Sequence, residues 1–369
     1  MKIFVDGYLL NKEYQGTRTY ITELYKALAQ LKPNIEITFG VNEITEELQN
    51  EFKEYLSIQF YVFQQKNKWK RMISEYIQLS YAYDYMHFQY ITPFIKVNQN
   101  CKIINTIHDV LFLDFPEGFP LFYKLSRRLF FGWGVRNCDV LLTVSAYSRS
   151  RISHFFNINE ESISITPNGV NQVFLDSYDK EKEKELIEKK YGISNYILYV
   201  SRIEPRKNQL QLLRLFAQNQ EVYHKYNLVL IGKKSLKSSD FDQYFNRLDQ
   251  SIQSKVCYIE QVDKSDLIHF YRAAEFFVYP TLYEGFGIPP IEAAACRIPV
   301  LCNKNTSMND FLFLSPNLLD FNDSSIQSDF NNFIMSKHNN LDKIKKHIED
   351  NYLWKHSAKR LLEALERVS

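Results

Sequence analysis

Short apolar runs punctuate the chain, and between them apolar positions return at helical spacing. In the first half, the runs at 2–6, 35–40, 58–63, 85–88, 102–106 and 140–144 predict strands, and stretches such as 20–31 predict amphipathic helices. The second half repeats the rhythm with apolar runs at 196–200, 228–231 and 276–279, which read as strands buried on both faces. Strand and helix in alternation predict an α/β chain with parallel, doubly wound sheets. At 369 residues the chain has the length of about two domains. The charge-rich stretch 179–190 between the halves reads as a solvated helix. Open parallel sheets bind ligands beyond the carboxyl ends of their strands, so candidate chemistry is sought just after each run.

After 276–279 comes Tyr283-Glu284-Gly285-Phe286-Gly287-Ile288-Pro289-Pro290-Ile291-Glu292-Ala293. The glycines permit positive φ and close approach of a ligand. The prolines suit a first helical turn, where no amide donor is needed. Amides at such a helix start favour an anion, and two carboxylates flank it. Amides for phosphate and acids for hydroxyls would suit a phosphate-bearing sugar. A tight turn with Glu292 as a helix-dipole partner accounts for the same spacing. After 196–200 comes Ser201-Arg202-Ile203-Glu204-Pro205-Arg206-Lys207-Asn208, a basic loop at a strand end. Arg grips phosphate oxygens bidentately and Lys acts as a point charge, although surface ion pairs are the bland alternative. The run at 102–106 closes on Ile107-His108-Asp109, where a His-Asp pair is either functional or a cap.

The string from Tyr283 to Ala293 resembles the signature of retaining glycosyltransferase family 4. The resemblance extends over nearly the whole chain, strongest over 197–300. It implies a GT-B fold: two Rossmann-like domains with an interdomain cleft and a C-terminal helix crossing back. The expected boundaries are 1–170 for the acceptor side, 171–350 for the nucleotide-sugar side and 351–369 for the returning helix. By resemblance, Glu284 holds donor-sugar hydroxyls and Glu292 the ribose. Arg202, Lys207 and the loop Gly285, Phe286, Gly287 and Ile288 hold the diphosphate. His108 lines the sugar, with Asp109 orienting it or the acceptor. Gly16 shapes a loop near the donor phosphates, and Val262 neighbours the base. Transfer of a hexose to a glycan or polyprenyl-linked glycan acceptor is implied, with no metal and no cofactor, in assembly of a cell-surface polysaccharide. Three positions depart from the family pattern: Arg18 where a second glycine is common, Glu260 where a glycine is common, and Arg297 in place of a small residue. Asp310 keeps an acid usual at its place. Ser145, in "TVSAYSR", reads equally as a helix cap or a ligand contact.

Composition narrows the partners. A net charge of +2 argues against a general nucleic-acid binder. Cys101, Cys138, Cys257, Cys296 and Cys302 form no Cys-x-x-Cys pair and read as free thiols in a reducing compartment, consistent with a cytoplasmic place. The start of the chain reads as a strand rather than a signal peptide. No apolar run nears the ~20 residues of a membrane span. Residues 118–136 mix Lys124, Arg127, Arg128 and Arg136 with many aromatics. Such a helix either packs into the core or lies on an anionic membrane at the inner face of the plasma membrane. The 66–71 segment, "KNKWKR", is a second basic and aromatic cluster. Asp240-Phe241-Asp242 has the form of a metal motif, but its polar surroundings favour helix capping. Two rival functions stand beside transfer: a nucleotide-sugar epimerase on the same fold, and a non-catalytic partner in polysaccharide assembly.

Overall fold

The computed structural model describes residues 1–12, 16–95, 98–234 and 239–368. The chain divides into two units, Met1–Gly169 with Trp354–Ser369, and Val170–Leu353. The first holds a seven-stranded parallel sheet of order β3-β2-β1-β4-β5-β6-β7. Its strands are β1 (Lys2–Asp6), β2 (Glu36–Val41), β3 (Ile58–Val62), β4 (Tyr85–Gln89), β5 (Lys102–Thr106), β6 (Val140–Thr143) and β7 (Ile163–Ile165). The second holds a six-stranded parallel sheet of order β10-β9-β8-β11-β12-β13. These are β8 (Tyr196–Val200), β9 (Asn227–Ile231), β10 (Val256–Ile259), β11 (Phe276–Tyr279), β12 (Val300–Asn303) and β13 (Leu318–Leu319). The order reverses between β1 and β4 in one sheet and between β8 and β11 in the other, so each has a switch point where a crevice opens at the carboxyl ends.

The high aromatic content is largely core. Phe4, Phe39, Phe88, Tyr20, Tyr25 and Tyr76 in the first unit are among the largest fully buried side chains. Buried tyrosines need partners for their hydroxyls: Tyr25 meets His87 Nδ1 at 2.7 Å and Tyr20 meets Thr166 Oγ1 at 2.6 Å. The terminal helix Trp354–Glu366 belongs to this unit, burying Trp354, Ala358, Leu361 and Leu365. Its entry is tight, because a Cβ on Gly169 would stand 2.6 Å from the Trp354 backbone nitrogen. Ser145 caps the helix Ala146–Phe156 by accepting the Ser148 amide at 2.9 Å.

In the second unit, the charge-rich helix Lys180–Tyr191 is not simply solvated. Lys180 and Lys184 pair with Glu275, Glu183 pairs with Arg272 and His269, and Lys190 pairs with Asp266. Its charges therefore fasten it to the helix Lys264–Ala273 and the approach to β11. Asp240 and Asp242 lie in the first turn of the helix Ser239–Asn246, where acids favour the helix dipole. Asp242 also meets Lys234 at 2.7 Å. Among the described residues, no group of His, Cys, Asp and Glu is placed to hold a metal ion.

Candidate functional site

In the second unit the sequence-predicted residues converge at the switch point. The loop after β8 and the loop after β11 are laced together. The Leu282 amide donates to the Arg206 carbonyl at 2.8 Å, and Arg206 donates back to the Tyr283 carbonyl at 3.0 Å. Asn208, in the left-handed region at φ 56°, donates to the Pro280 carbonyl. Gln209 holds the Arg202 carbonyl at 2.7 Å and the Tyr199 hydroxyl at 3.1 Å. Arg202 itself is half-buried on this loop.

Sequence reading gave Lys207 to phosphate and Glu284 to sugar as separate tasks. The structure joins them in one ion pair, Lys207 Nζ on Glu284 Oε1. Side-chain exposure is 8% and 12%, so the charges interact in a weakly screened place. The Tyr279 hydroxyl donates to the same carboxylate oxygen at 2.7 Å, the Thr281 hydroxyl lies 3.2 Å from it, and Arg206 stands 3.6 Å from the other oxygen. Burial pushes the Glu284 carboxyl up, but Lys207, Arg206 and the Tyr279 hydroxyl outweigh it and hold it below the usual range. The Lys207 ammonium is held below its ordinary range by burial, against the pull of Glu284. The carboxylate is thus ionised and aimed by four side chains, one ending β11 and three from the two loops.

Beyond Glu284 the chain turns at Gly287, φ 96°, which caps the helix Ile288–Ala295. That conformation is one L-residues avoid, so the backbone requires glycine, and an added Cβ would also displace the Met308 side chain, whose Cε would stand 2.1 Å away. Pro289 and Pro290 occupy the first turn, as the pattern predicts. Phe286 is buried edge-on to Phe311, which anchors the loop, and Gly285 and Ile288 stay half-buried.

Glu292 follows in that helix and accepts the Tyr271 hydroxyl at 2.9 Å. Burial raises its pKa from 4.5 to about 7, opposed by the Tyr271 hydrogen bond. A carboxyl whose folded pKa is raised stabilises the fold fully below its unfolded pKa. That contribution is lost as pH climbs through the folded value. Glu292→Gln, always neutral, should therefore be the more stable protein at pH 8, on the order of 1–3 kcal/mol relative to the difference at pH 4. Urea unfolding of both proteins at the two pH values measures this. A constant difference would show that the carboxyl titrates normally.

In the first unit His108 is buried just past β5, and its imidazole is held neutral by burial, with a pKa of about 3. The Tyr20 ring meets it edge-on at 4.8 Å. Its orienting partner is Gln89 at the end of β4, whose Oε1 lies 2.7 Å from Nε2. Asp109 Oδ1 accepts the Leu111 amide at 3.0 Å, the geometry of a cap. Arg18 is buried. It donates to the Lys12 carbonyl at 2.7 Å and pairs with Glu47 and Glu51 of the helix Glu46–Phe52. Gly16 opens the helix Gly16–Leu31, where an added Cβ would meet nothing; residue 15 before it lies outside the described residues. Val262 is half-buried between β10 and the following helix, and Glu260 is exposed. Arg297, at φ 57°, reaches Asp342 at 2.6 Å.

Comparison with known proteins covers both units. Residues 14–173 match the model described as Glycosyltransferase Family 4, and residues 178–312 match that of Glycosyl transferases group 1. The chain is 30% identical over 227 residues to O-antigen chain mannosyltransferase B of Escherichia coli, covering 61% of this chain and 59% of that protein. It is 32% identical over 197 residues to O-antigen chain mannosyltransferase RfbU of Salmonella typhimurium, covering 53% and 50%. The matched stretch thus spans only half to three-fifths of these relatives. Among solved structures, Anabaena Alr3699/HepE in complex with UDP and glucose superposes with a TM-score of 0.74 at 14% identity, covering 99% of both chains. WaaG, a glycosyltransferase of lipopolysaccharide biosynthesis, superposes at 0.64 and 13% identity, covering 97% of this chain and 95% of that one.

Proposed function

We propose that this chain, which belongs to glycosyltransferase family 4 and has the GT-B fold, moves a hexose from a nucleotide sugar to a glycan or lipid-linked glycan with retention of anomeric configuration. The observation that carries the reading is the Glu284 carboxylate, ionised and held by Lys207, Tyr279, Thr281 and Arg206 at the switch point of the second sheet. Such a carboxylate accepts sugar hydroxyls and faces positive charge as the anomeric centre loses its leaving group. Lys207, Arg202 and the amides at the start of the helix Ile288–Ala295 would neutralise charge developing on the diphosphate. Glu292 would take the ribose. Neutral His108, with Nε2 tied to Gln89, would line the sugar. The O-antigen mannosyltransferase relatives support mannose as the first donor sugar to try, and cell-surface polysaccharide as the product.

No step in this scheme needs a metal, because fixed cations do its work. Nucleotide hexoses should therefore raise the melting temperature in EDTA, since a ligand that binds the native state stabilises it. A donor panel read by thermal shift tests this. Stabilisation only after Mn²⁺ or Mg²⁺ is added would contradict it.

Peripheral contact with an anionic membrane belongs to the same reading. The helix Leu121–Arg136 buries only its last turns, and Phe122, Leu125 and Leu129 stand exposed beside Lys124, Arg127 and Arg128. Among the described residues, no helix is long and apolar enough to cross a membrane. Sedimentation with phosphatidylglycerol vesicles should be strong at low salt, weak at high salt, and reduced by Lys124→Gln with Arg128→Gln. No sedimentation at low salt would refute the contact.

A further inference from the structure

The first sheet has its own switch point, between β1 and β4. β1 ends at Asp6 and β4 at Gln89. Just beyond them stand the rings of Tyr8 and Tyr90. The Tyr8 ring carries two ammonium groups, Lys68 Nζ at 4.7 Å and Lys12 Nζ at 5.1 Å from its centroid. Arg71 is buried beside them, its guanidinium 4.2 Å from the Phe63 centroid and donating to Asn42 Oδ1 at 3.1 Å. Its Nε has no hydrogen-bond partner among the described residues. From the helix Leu121–Arg136, the charge of Arg127 acts on both Lys68 and Tyr8.

Asp6, at the end of β1, faces this group. Around Lys68, the charges of Arg127, Arg71 and Lys12 oppose that of Asp6, and burial with their help holds the ammonium below its ordinary range. Burial pushes Asp6 up, while Lys68 and Arg71 pull it down. Lys68, Lys12, Arg71 and Arg127 thus gather positive charge in a partly buried crevice, where field lines concentrate and an anion is drawn in. The crevice also adjoins the residue assigned to the sugar: the Tyr90 ring lies 5.3 Å from that of His108.

We propose that Lys68, Arg71, Arg127 and Lys12, around Tyr8, form an anion subsite that takes a phosphoryl group carried by the acceptor. The assignment rests on the acceptor role given above to the first unit. Lysines supply point charge and the arginines a fork for phosphate oxygens. The geometry also explains the basic and aromatic segment 66–71: Lys68 turns into the crevice, while its neighbour Trp69 stacks on Phe94 and packs on Phe130.

The test is a calorimetric titration of inorganic pyrophosphate at constant ionic strength. A background of Arg202→Ala with Lys207→Ala removes the diphosphate contacts proposed in the second unit. One pyrophosphate should still bind, and Lys68→Gln or Arg127→Gln should each weaken it about tenfold, while Lys68→Arg keeps it. If that background fails to fold, the wild-type protein should show two sites, and Lys68→Gln should weaken one of them about tenfold. Equal pyrophosphate binding with and without Lys68→Gln overturns the subsite. A second arm separates the acceptor from the bilayer as source of the phosphate. Farnesyl diphosphate should lose affinity with Lys68→Gln, but sedimentation with phosphatidylglycerol vesicles should not. Loss of vesicle binding in step with pyrophosphate would overturn the assignment to the acceptor. Neither readout requires sugar transfer, so this result and the transfer reading fail separately.

Discussion

Glu284→Gln should slow sugar transfer on the order of 10²-fold, the scale on which a fixed electrostatic partner of a transition state is lost. Gln keeps the size but replaces one acceptor oxygen with a donor group and removes the charge. The ion pair adds two consequences. Lys207 loses its buried counter-charge, and breaking a buried pair is costly, about 3–5 kcal/mol when a partner is removed outright. The variant should therefore be less stable, though by less than that, because Gln still accepts a hydrogen bond. Lys207 is also freed from competition, so nucleoside diphosphate affinity should hold or rise. Single-turnover transfer beside calorimetric titration of the nucleoside diphosphate separates these effects. Wild-type transfer rates in a folded Glu284→Gln protein would remove Glu284 from the chemistry.

Lys207→Ala should weaken nucleoside diphosphate binding by roughly 1.5–3 kcal/mol, the scale of a hydrogen bond to a charged group. It should also change how the rate depends on pH. Lys207 is the strongest of the influences holding the Glu284 carboxyl low, so its removal raises that pKa. Transfer should then fall off at a higher pH on the acid side than in wild type. Arg202→Ala should weaken the nucleotide similarly and move the acid limb less, because Lys207 and Arg206 lead the charges holding Glu284 low. Calorimetry with pH–rate profiles for both variants makes the comparison. Unchanged affinity in both would remove these cations from the donor site, and matching acid limbs would mean the ion pair does not tune Glu284.

Much of this architecture was legible in the sequence because buried parallel strands announce themselves as apolar runs. Every first-half run named from the sequence overlaps a strand in β1 to β6, and 276–279 is β11. Of the strands not read from the sequence, three were short or poorly covered, and the fourth, Val300–Asn303, went unread although it is buried throughout. Ile163–Ile165 and Leu318–Leu319 span too few residues for a period to show, and Val256–Ile259 is only half-buried. Glu284, Lys207 and Arg202 were legible as motif members, and Gly287 as a backbone requirement. Their coupling was not, since no spacing says that a cation 77 residues before an acid will meet it. Tyr279 was hidden for a different reason. It ends an apolar run and looks like core, yet its hydroxyl serves the site. Gln89 was hidden likewise at the end of β4, while Asp109 drew attention by standing next to His108 in sequence. Adjacent strands bring Gln89 and His108 together, as the register pairing Gln89 with Thr106 shows.

The most direct measurement of the central claim is the structure of the product. Purified protein should be given a nucleotide hexose that raises its melting temperature, together with a glycan acceptor, and the product anomer read by NMR. The account predicts a new glycosidic bond with the anomeric configuration of the donor, formed in wild type and strongly reduced in Glu284→Gln. An isomerised nucleotide sugar with no new linkage, or a linkage of inverted configuration, would contradict it.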